Sequence, residues 1–403
     1  MKEEIDYIKE KEAELELVSK TRVDKEYKGN TYYYRSHSDI DFSRVLYSSS
    51  ARRLQGKMQL LVPKSQVFYR NRLTHSLEVS QIAKTIAKKL RLKDTQTVQV
   101  CSLAHDIGNP PFGHAGEIFL GNCSQESYEG NAQTFRILRR VEERHHDFNG
   151  LNLTLRTMLG TVKYLKKQKK NEKITNKKFL YDDDYDLVKS WLKEYDISHK
   201  TIDCEIMDIA DEIAYAVHDL EDSLKLKYFN IDELLHEFNI NEKYKDTSEI
   251  LTKIVEKAKL FASKSEAYGT SEEYAMLFRK ELSSILAATL INDVGLTSEN
   301  ILGYKSLEKL SNGLKKLTFK TIQRQSDIIE YEQLGKHVLT RLFGLYTDKD
   351  YNKDMKLLPA NYRFPKNWDR NVLDYIGGMM DIYAIQQYEK YFGKLENKGL
   401  YLK

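Results

Sequence analysis

Proline is scarce in this chain of 403 residues, with 5 in all, and the 19 glycines are too few for a turn-rich β protein. Runs of β-branched residues separated by turn dipeptides are also missing. Both absences argue against a sandwich or barrel and for a mostly helical protein. There are 3 cysteines, Cys101, Cys123 and Cys204, and none forms a C-x-x-C pair. An odd, dispersed set excludes a disulfide scaffold and fits a reducing cytoplasm. No uninterrupted apolar stretch is long enough to span a bilayer. The opening MKEEIDYIKEKEAEL is charged from its second residue, unlike a signal peptide. Charge of one sign is lacking too. Lys plus Arg number 64 against 60 Asp plus Glu, a net +4. So small an excess gives no general pull toward a polyanion.

What is present is helical periodicity. Residues 1–20 read as a charged, exposed helix, and 24–50, rich in Tyr and Ser, as an irregular lead-in. From Ala51 the helical period sets in. In NRLTHSLEVSQIAKTIAKKL, Leu73, Leu77, Ile82, Ile86 and Leu90 recur at steps of four or five, predicting an amphipathic helix. TVQVCSLAHDI (97–107) reads as a more apolar, buried helix. Gly108 ends it and Asn109-Pro110-Pro111 prevents its continuation. A new helix is expected near Gly113-His114, two more over 130–165, and a strong one over 201–227. The segment 166–186, with seven lysines followed by DDDYD, reads as a solvated loop or hairpin. The rest is repetitively helical, without repeat or low-complexity linker. We therefore expect one all-α unit over 1–403, with a core at about 50–225 and a C-terminal helical part at 226–403.

His-Asp as adjacent residues is common, and on an apolar helix it is usually structural. Here the context matters. His105-Asp106 closes the very apolar VQVCSLAHDIG, where a carboxylate is costly to bury unless a cation compensates it. His75 lies on the preceding helix, and Asp211 in the apolar stretch IMDIADEIAYAV. Two imidazoles and two carboxylates suit Mn²⁺, Fe²⁺, Zn²⁺, Ni²⁺ or Mg²⁺, octahedral with open water positions. Asp211, Tyr215 and Asp219 share a helix face at i, i+4, i+8. Spacing alone favours a solvent-exposed stripe; the alternative is a site wall, with a ligand at one end and substrate contacts beyond. His114 and Glu117, at i, i+3, form a His–carboxylate pair of the kind that moves protons.

Seven segments together resemble the HD-domain deoxynucleotide triphosphohydrolases, in their bacterial dGTPase branch. They are SSSARRLQGKMQ (48–59), RLTHSLEV (72–79), LAHDIGNPPFGHAGE (103–117), YEGNAQTFRIL (128–138), GLNLT (150–154), ADEIAYAVHDLED (210–222) and RNVLDYIGGMMDIYA (370–384). The resemblance implies an all-α HD-domain fold around a central metal, held by His75, His105, Asp106 and Asp211. It implies one divalent ion per chain, Mn²⁺ or Mg²⁺ foremost. It places His114 at the reaction centre with Glu117 as partner. Gln59 and Asp219 would bind the sugar 3′-hydroxyl, and Tyr215 would pack on the deoxyribose. Arg72, Asn131, Lys163 and Tyr164 would contact the triphosphate, with Lys178 as an addition. Near the C-terminus the family's usual MTD reads Met379-Met380-Asp381.

The implied reaction is hydrolysis of a deoxynucleoside triphosphate, dGTP by family name, to the deoxynucleoside and inorganic triphosphate. Two rivals stand beside it. One is another HD-domain activity, a 5′-nucleotidase or phosphodiesterase. The other is a low-turnover protein that senses nucleotides or single-stranded DNA. The resemblance also brings the expectation of a homo-oligomer, often a hexamer, with a regulatory dNTP or single-stranded DNA as a further partner.

Overall fold

Helix after helix in this chain begins at a side chain that caps it. The computed structural model describes residues 2–24, 34–59, 70–142, 146–168, 178–264, 269–323, 325–364 and 367–395. The N-terminal part contains α1 (Lys2–Glu14), α2 (His37–Leu46), α3 (Ser49–Arg53), α4 (Arg72–Lys89) and α5 (Thr95–Ala104). There follow α6 (Gly113–Cys123), α7 (Gly130–Arg136), α8 (Leu155–Gly160), α9 (Asp182–Glu194) and α10 (Ile202–Lys225). Asn71 and Thr74 form a capping box on α4, Asp94 caps α5 and Thr201 caps α10. Each cap satisfies backbone N–H groups that have no partner within the helix.

The C-terminal part contains α11 (Ile231–Ile240), α12 (Lys245–Ser263) and α13 (Ser271–Asp293). A two-stranded antiparallel hairpin of β1 (Val294–Leu296) and β2 (Leu302–Tyr304) comes next. The chain then runs through α14 (Glu308–Ile322), α15 (Ser326–Thr347), α16 (Trp368–Gly377) and α17 (Asp381–Phe392). The fold is all-α, as expected, with that hairpin as its one sheet among the described residues. No described helix is long and apolar enough to cross a membrane.

The centre is α10. It packs against α4, α5 and α8 of the N-terminal part and against α13 and α14 of the C-terminal part. Its buried residues include Ile206, Ile209, Ile213, Val217 and Leu220, but also Asp211 and Asp219. A helix covered on several sides buries its polar residues together with its apolar ones. The stripe of Asp211, Tyr215 and Asp219 is therefore not a solvent-exposed one. It faces a cavity.

Several local expectations need correction. The lead-in 24–50 contains α2, whose Ser36 and Asp39 form a capping box. Its buried residues are Ser38, Asp41 and Val45, so polar groups mask the helical period. Asp41 is fully buried because Arg22 and the Thr154 and Thr157 hydroxyls donate to it. On α4, Leu77 is exposed, and the buried face runs instead through His75, Ser76, Val79, Ile82, Ala83 and Ile86. In the Lys-rich segment, residues 169–177 lie outside the described residues. Lys166 and Leu180 are joined by a backbone hydrogen bond of 2.7 Å. The acidic run Asp182-Asp183-Asp184 is not loop but the first turn of α9. Carboxylates there favour a helix by meeting the positive end of its dipole.

Candidate active site

Three mutually packed helices, α4, α5 and α10, bring the metal-ligand candidates together. His75 is in the first turn of α4, His105 is the C-terminal cap of α5, and Asp106 follows it in the turn. The turn needs Gly108, because a Cβ there would come within 2.2 Å of the Gly130 carbonyl and the Thr134 nitrogen. Thr134 in turn donates to the His105 carbonyl at 3.0 Å.

His75, His105 and Asp106 each offer one ligand atom, and these lie within 4.8 Å of one another. Asp211 borders the group from α10. Its Oδ1 is 3.1 Å from His75 Nε2 and 3.4 Å from His105 Nε2. The His105 Nδ1–H donates to the Ser102 carbonyl at 2.6 Å, which leaves Nε2 as the nitrogen that a metal could take in exchange for a proton. Among the described residues that Nε2 is buried without a hydrogen-bond partner. A buried imidazole nitrogen 3.4 Å from each of two carboxylates fits a divalent cation, and the backbone bond to Nδ1 is the usual support of a ligating histidine.

The field at this spot favours positive charge. Burial pulls the His105 pKa down, but Asp106 and Asp211 outweigh it and raise the value to about 9. Burial raises that of Asp106, yet His105 and Arg72 bring it down to about 2. Arg72 donates to Asp106 Oδ2 at 2.6 Å, and the Asn109 amide donates to Oδ1. Lys163 is shared between Asp208 at 2.8 Å and Asp211 Oδ2 at 3.0 Å.

Above this floor opens a cavity of about 370 Å³. Gln59, Arg72, Asn131, Lys163, Tyr164, Lys178, Tyr215 and Asp219 all line it, with His114 and Glu117 on one side. His75 is fully buried behind it. Every residue nominated from the sequence is thus at the site or directly beneath it. Gln59 is buried, and neither Nε2 nor Oε1 has a partner among the described residues. A buried amide left unpaired is costly, so it points to a ligand group. The Tyr215 ring packs 5.0 Å from the ring of His75. The Asp219 carboxyl is buried, and burial, then Asp222, pushes its pKa well up.

His114 is half exposed, and its Nδ1 is 3.1 Å from Glu117 Oε2. The other oxygen of Glu117 accepts from Gly130 N at 2.8 Å and from Lys178 at 3.1 Å. Burial would raise the Glu117 pKa, but His114 and Lys178 bring it to about 2. Lys178 also reaches Glu129 at 2.9 Å. In the structure Lys163 and Lys178 are therefore held by acids at the cavity wall.

Part of the lining comes from residues that the sequence did not single out. Lys315, Phe319 and Ile322 of α14, with Ile328 and Glu332 of α15, also line the cavity. Their helical spacing shows only that one face of each helix is covered. Which surface that face meets is a tertiary matter.

A family model described as HD domain matches residues 72–216, and one described as phosphohydrolase-associated domain matches residues 305–390. Over 407 aligned residues the chain is 49% identical to the deoxyguanosinetriphosphate triphosphohydrolase-like protein 2 of Vibrio cholerae serotype O1, covering 100% of this chain and 99% of that one. It is 31% identical over 428 residues to the deoxyguanosinetriphosphate triphosphohydrolase-like protein of Shewanella oneidensis, with 89% of this chain and 93% of the relative aligned. The corresponding protein of Shewanella baltica is 33% identical over 433 residues, with 89% and 92% aligned. The chain belongs to the HD-domain phosphohydrolases and, within them, to the bacterial dGTPase branch of the deoxynucleotide triphosphohydrolase family.

Proposed function

We propose that this protein hydrolyses deoxynucleoside triphosphates, dGTP among them, to the deoxynucleoside and inorganic triphosphate. The observation that carries this reading is one cavity with three chemically distinct regions. Its floor is the donor group His75, His105, Asp106 and Asp211. A wall of Gln59, Tyr215 and Asp219 offers an unpaired amide, a ring and a carboxyl, a combination suited to a sugar. The cations Arg72, Lys163 and Lys178 surround the same space and suit a polyphosphate.

A divalent ion held by the four donors, Mn²⁺ or Mg²⁺ foremost, would supply Lewis-acid charge to the α-phosphate and the attacking water. The remaining roles fall to the chain itself. Arg72, Asn131, Lys163, Tyr164 and Lys178 hold the phosphates. The two lysines must turn from their acids toward the substrate, exchanging one anion for another. Gln59 and Asp219 bond the 3′-hydroxyl, and Tyr215 fills the space a 2′-hydroxyl would need. The leaving group is the sugar 5′-oxygen, a poor one unless protonated. His114, oriented by Glu117, donates that proton.

The test is a product screen of all dNTPs and rNTPs with Mn²⁺ or Mg²⁺, resolved by ion chromatography. Intact triphosphate and an unphosphorylated deoxynucleoside are expected. Stoichiometric orthophosphate or pyrophosphate would refute the proposed bond cleavage and favour a different nucleotide phosphohydrolase.

A further inference from the structure

The Met379-Met380-Asp381 segment stands outside the cavity, yet it is tied to two strands of backbone that line it. Asp381 opens α17 and is buried. Its Oδ1 accepts the Phe112 N–H at 3.0 Å, and its Oδ2 accepts the Met58 N–H at 3.0 Å and the Tyr331 hydroxyl at 3.1 Å. Met58 immediately precedes Gln59, and Phe112 stands two residues before His114. Phe112 is the N-terminal cap of α6 with φ 62, a left-handed backbone that a bulky side chain rarely adopts unless held there.

A second tie runs beside the first. Lys57 is buried, and its Nζ donates to the Gly377 carbonyl at 2.8 Å and to the Asn109 carbonyl. The side chain of Asn109 holds Asp106. Contact between the segments is close. A Cβ on Gly56 would come within 2.8 Å of three Met380 side-chain atoms, and one on Gly377 would come within 2.7 Å of the Tyr128 ring. Neither Lys57 nor Asp381 lines the cavity, so neither can touch a substrate in it.

We propose that Asp381 of the C-terminal part and Lys57 of the N-terminal part are positioning residues, two ties that brace the backbone carrying Gln59 and His114 against Gly377 and α17. The proposal rests on reading the cavity as a deoxynucleotide hydrolase site. A carboxylate is needed because both of its oxygens accept from backbone N–H groups. In Asp381→Asn one side would present an NH₂ group to an N–H, and one tie would open.

The experiment uses the full chain loaded with Mn²⁺. Turnover, bound metal and amide hydrogen exchange are measured for wild type, Asp381→Asn and Lys57→Met, the last keeping the methylene stem without its donors. In Asp381→Asn, exchange is expected to rise at Met58 and Phe112 but not along α10. Metal content should be unchanged, because none of the four donors hangs on Asp381. Displacing catalytic groups by about 1 Å costs about 10²-fold in rate, and a loss of kcat of that order is expected. Lys57→Met should lose kcat likewise and decides the matter if Asp381→Asn does not fold. Wild-type turnover and exchange in the folded variants would overturn the brace. So would exchange rising evenly through α4, α5 and α10 with loss of metal, the mark of general destabilisation. If wild type releases no triphosphate from any dNTP, the proposed reaction fails instead, and exchange and metal content alone decide the brace.

Discussion

The Lys163 ammonium lies 3.0 Å from Oδ2 of Asp211, while the other oxygen of that carboxylate faces His75 and His105. Two cations therefore have a claim on one buried acid: the lysine and the metal its neighbours are arranged to hold. Breaking a buried pair by removing one partner costs about 3–5 kcal/mol. Lys163→Met should lose stability of that order after chelation. It should lose less with Mn²⁺, where the ion compensates Asp211 instead. Urea unfolding with and without chelator checks this, and equal losses in both conditions would count against a metal at Asp211. Asp211→Asn, in contrast, should carry less metal on elemental analysis.

The Gln59 amide, unpartnered among the described residues, and the buried Asp219 carboxyl make a prediction about the sugar. Leaving a buried polar group unsatisfied costs about 1–3 kcal/mol, roughly 5- to 150-fold in a rate or binding constant. Substrates without the 3′-hydroxyl should be poorer than dNTPs by that margin in kcat/KM. In the proposed reading the Tyr215 ring takes the space an added 2′-hydroxyl would need, so Tyr215→Ala should narrow the gap between dGTP and GTP. Wild-type turnover of GTP equal to that of dGTP would sink the assignment.

His114 is placed beside the donor group but not in it. General acid catalysis is typically worth about 10²–10⁴-fold. His114→Ala should lose kcat in that range and still bind metal. Glu117→Gln should lose less, since the ring survives and only its orienting partner changes. Kinetics paired with metal analysis separates the two roles. An active His114→Ala enzyme, or one stripped of metal, would show that the histidine does something else.

Away from the site, Glu205 on α10 has Oε2 buried without a partner among the described residues. Burial raises its pKa from 4.5 to about 7, only partly offset by Lys11 and Lys200. A carboxyl whose folded value is raised favours the folded state when protonated. That favourable contribution is full below pH 4.5 and is lost as pH rises to about 7. Glu205→Gln, neutral throughout, should therefore gain on wild type across that window. The gain should reach about 1 kcal/mol at pH 8 once solvent screening is allowed for. Thermal melts from pH 5 to 8 test it, and a constant difference would show that Glu205 does not titrate in the fold.

Much of the candidate site is legible in the primary structure because its chemistry is local. His105-Asp106 stands out as an ionisable pair in an apolar run. His114 and Glu117 are neighbours one helical turn apart. The i, i+4, i+8 spacing puts Asp211, Tyr215 and Asp219 on one face, and the seven motifs identify the family. Capping residues such as Asn71, Asp94 and Thr201 mark helix starts in the same local way, since they act within three residues of themselves.

The rest depends on what each face meets. Whether the Asp211 stripe is wetted or buried cannot be read from its period; α10 is buried because α4, α5, α13 and α14 cover it. The helix at His37–Leu46 escapes a hydrophobic count because its buried Asp41 is neutralised by Arg22 and bonded by Thr154 and Thr157, more than 110 residues away. Lys315 and Phe319 become cavity wall only when α14 docks on α10. Asp381, more than 260 residues from Phe112, meets its backbone N–H only through tertiary packing. Which groups could do the chemistry is legible along the chain, because charge, donor type and helical period are local properties. The tertiary structure decided which of them share a cavity and which acid holds each cation, because burial and Coulomb energy depend on neighbours that the chain brings together only when folded.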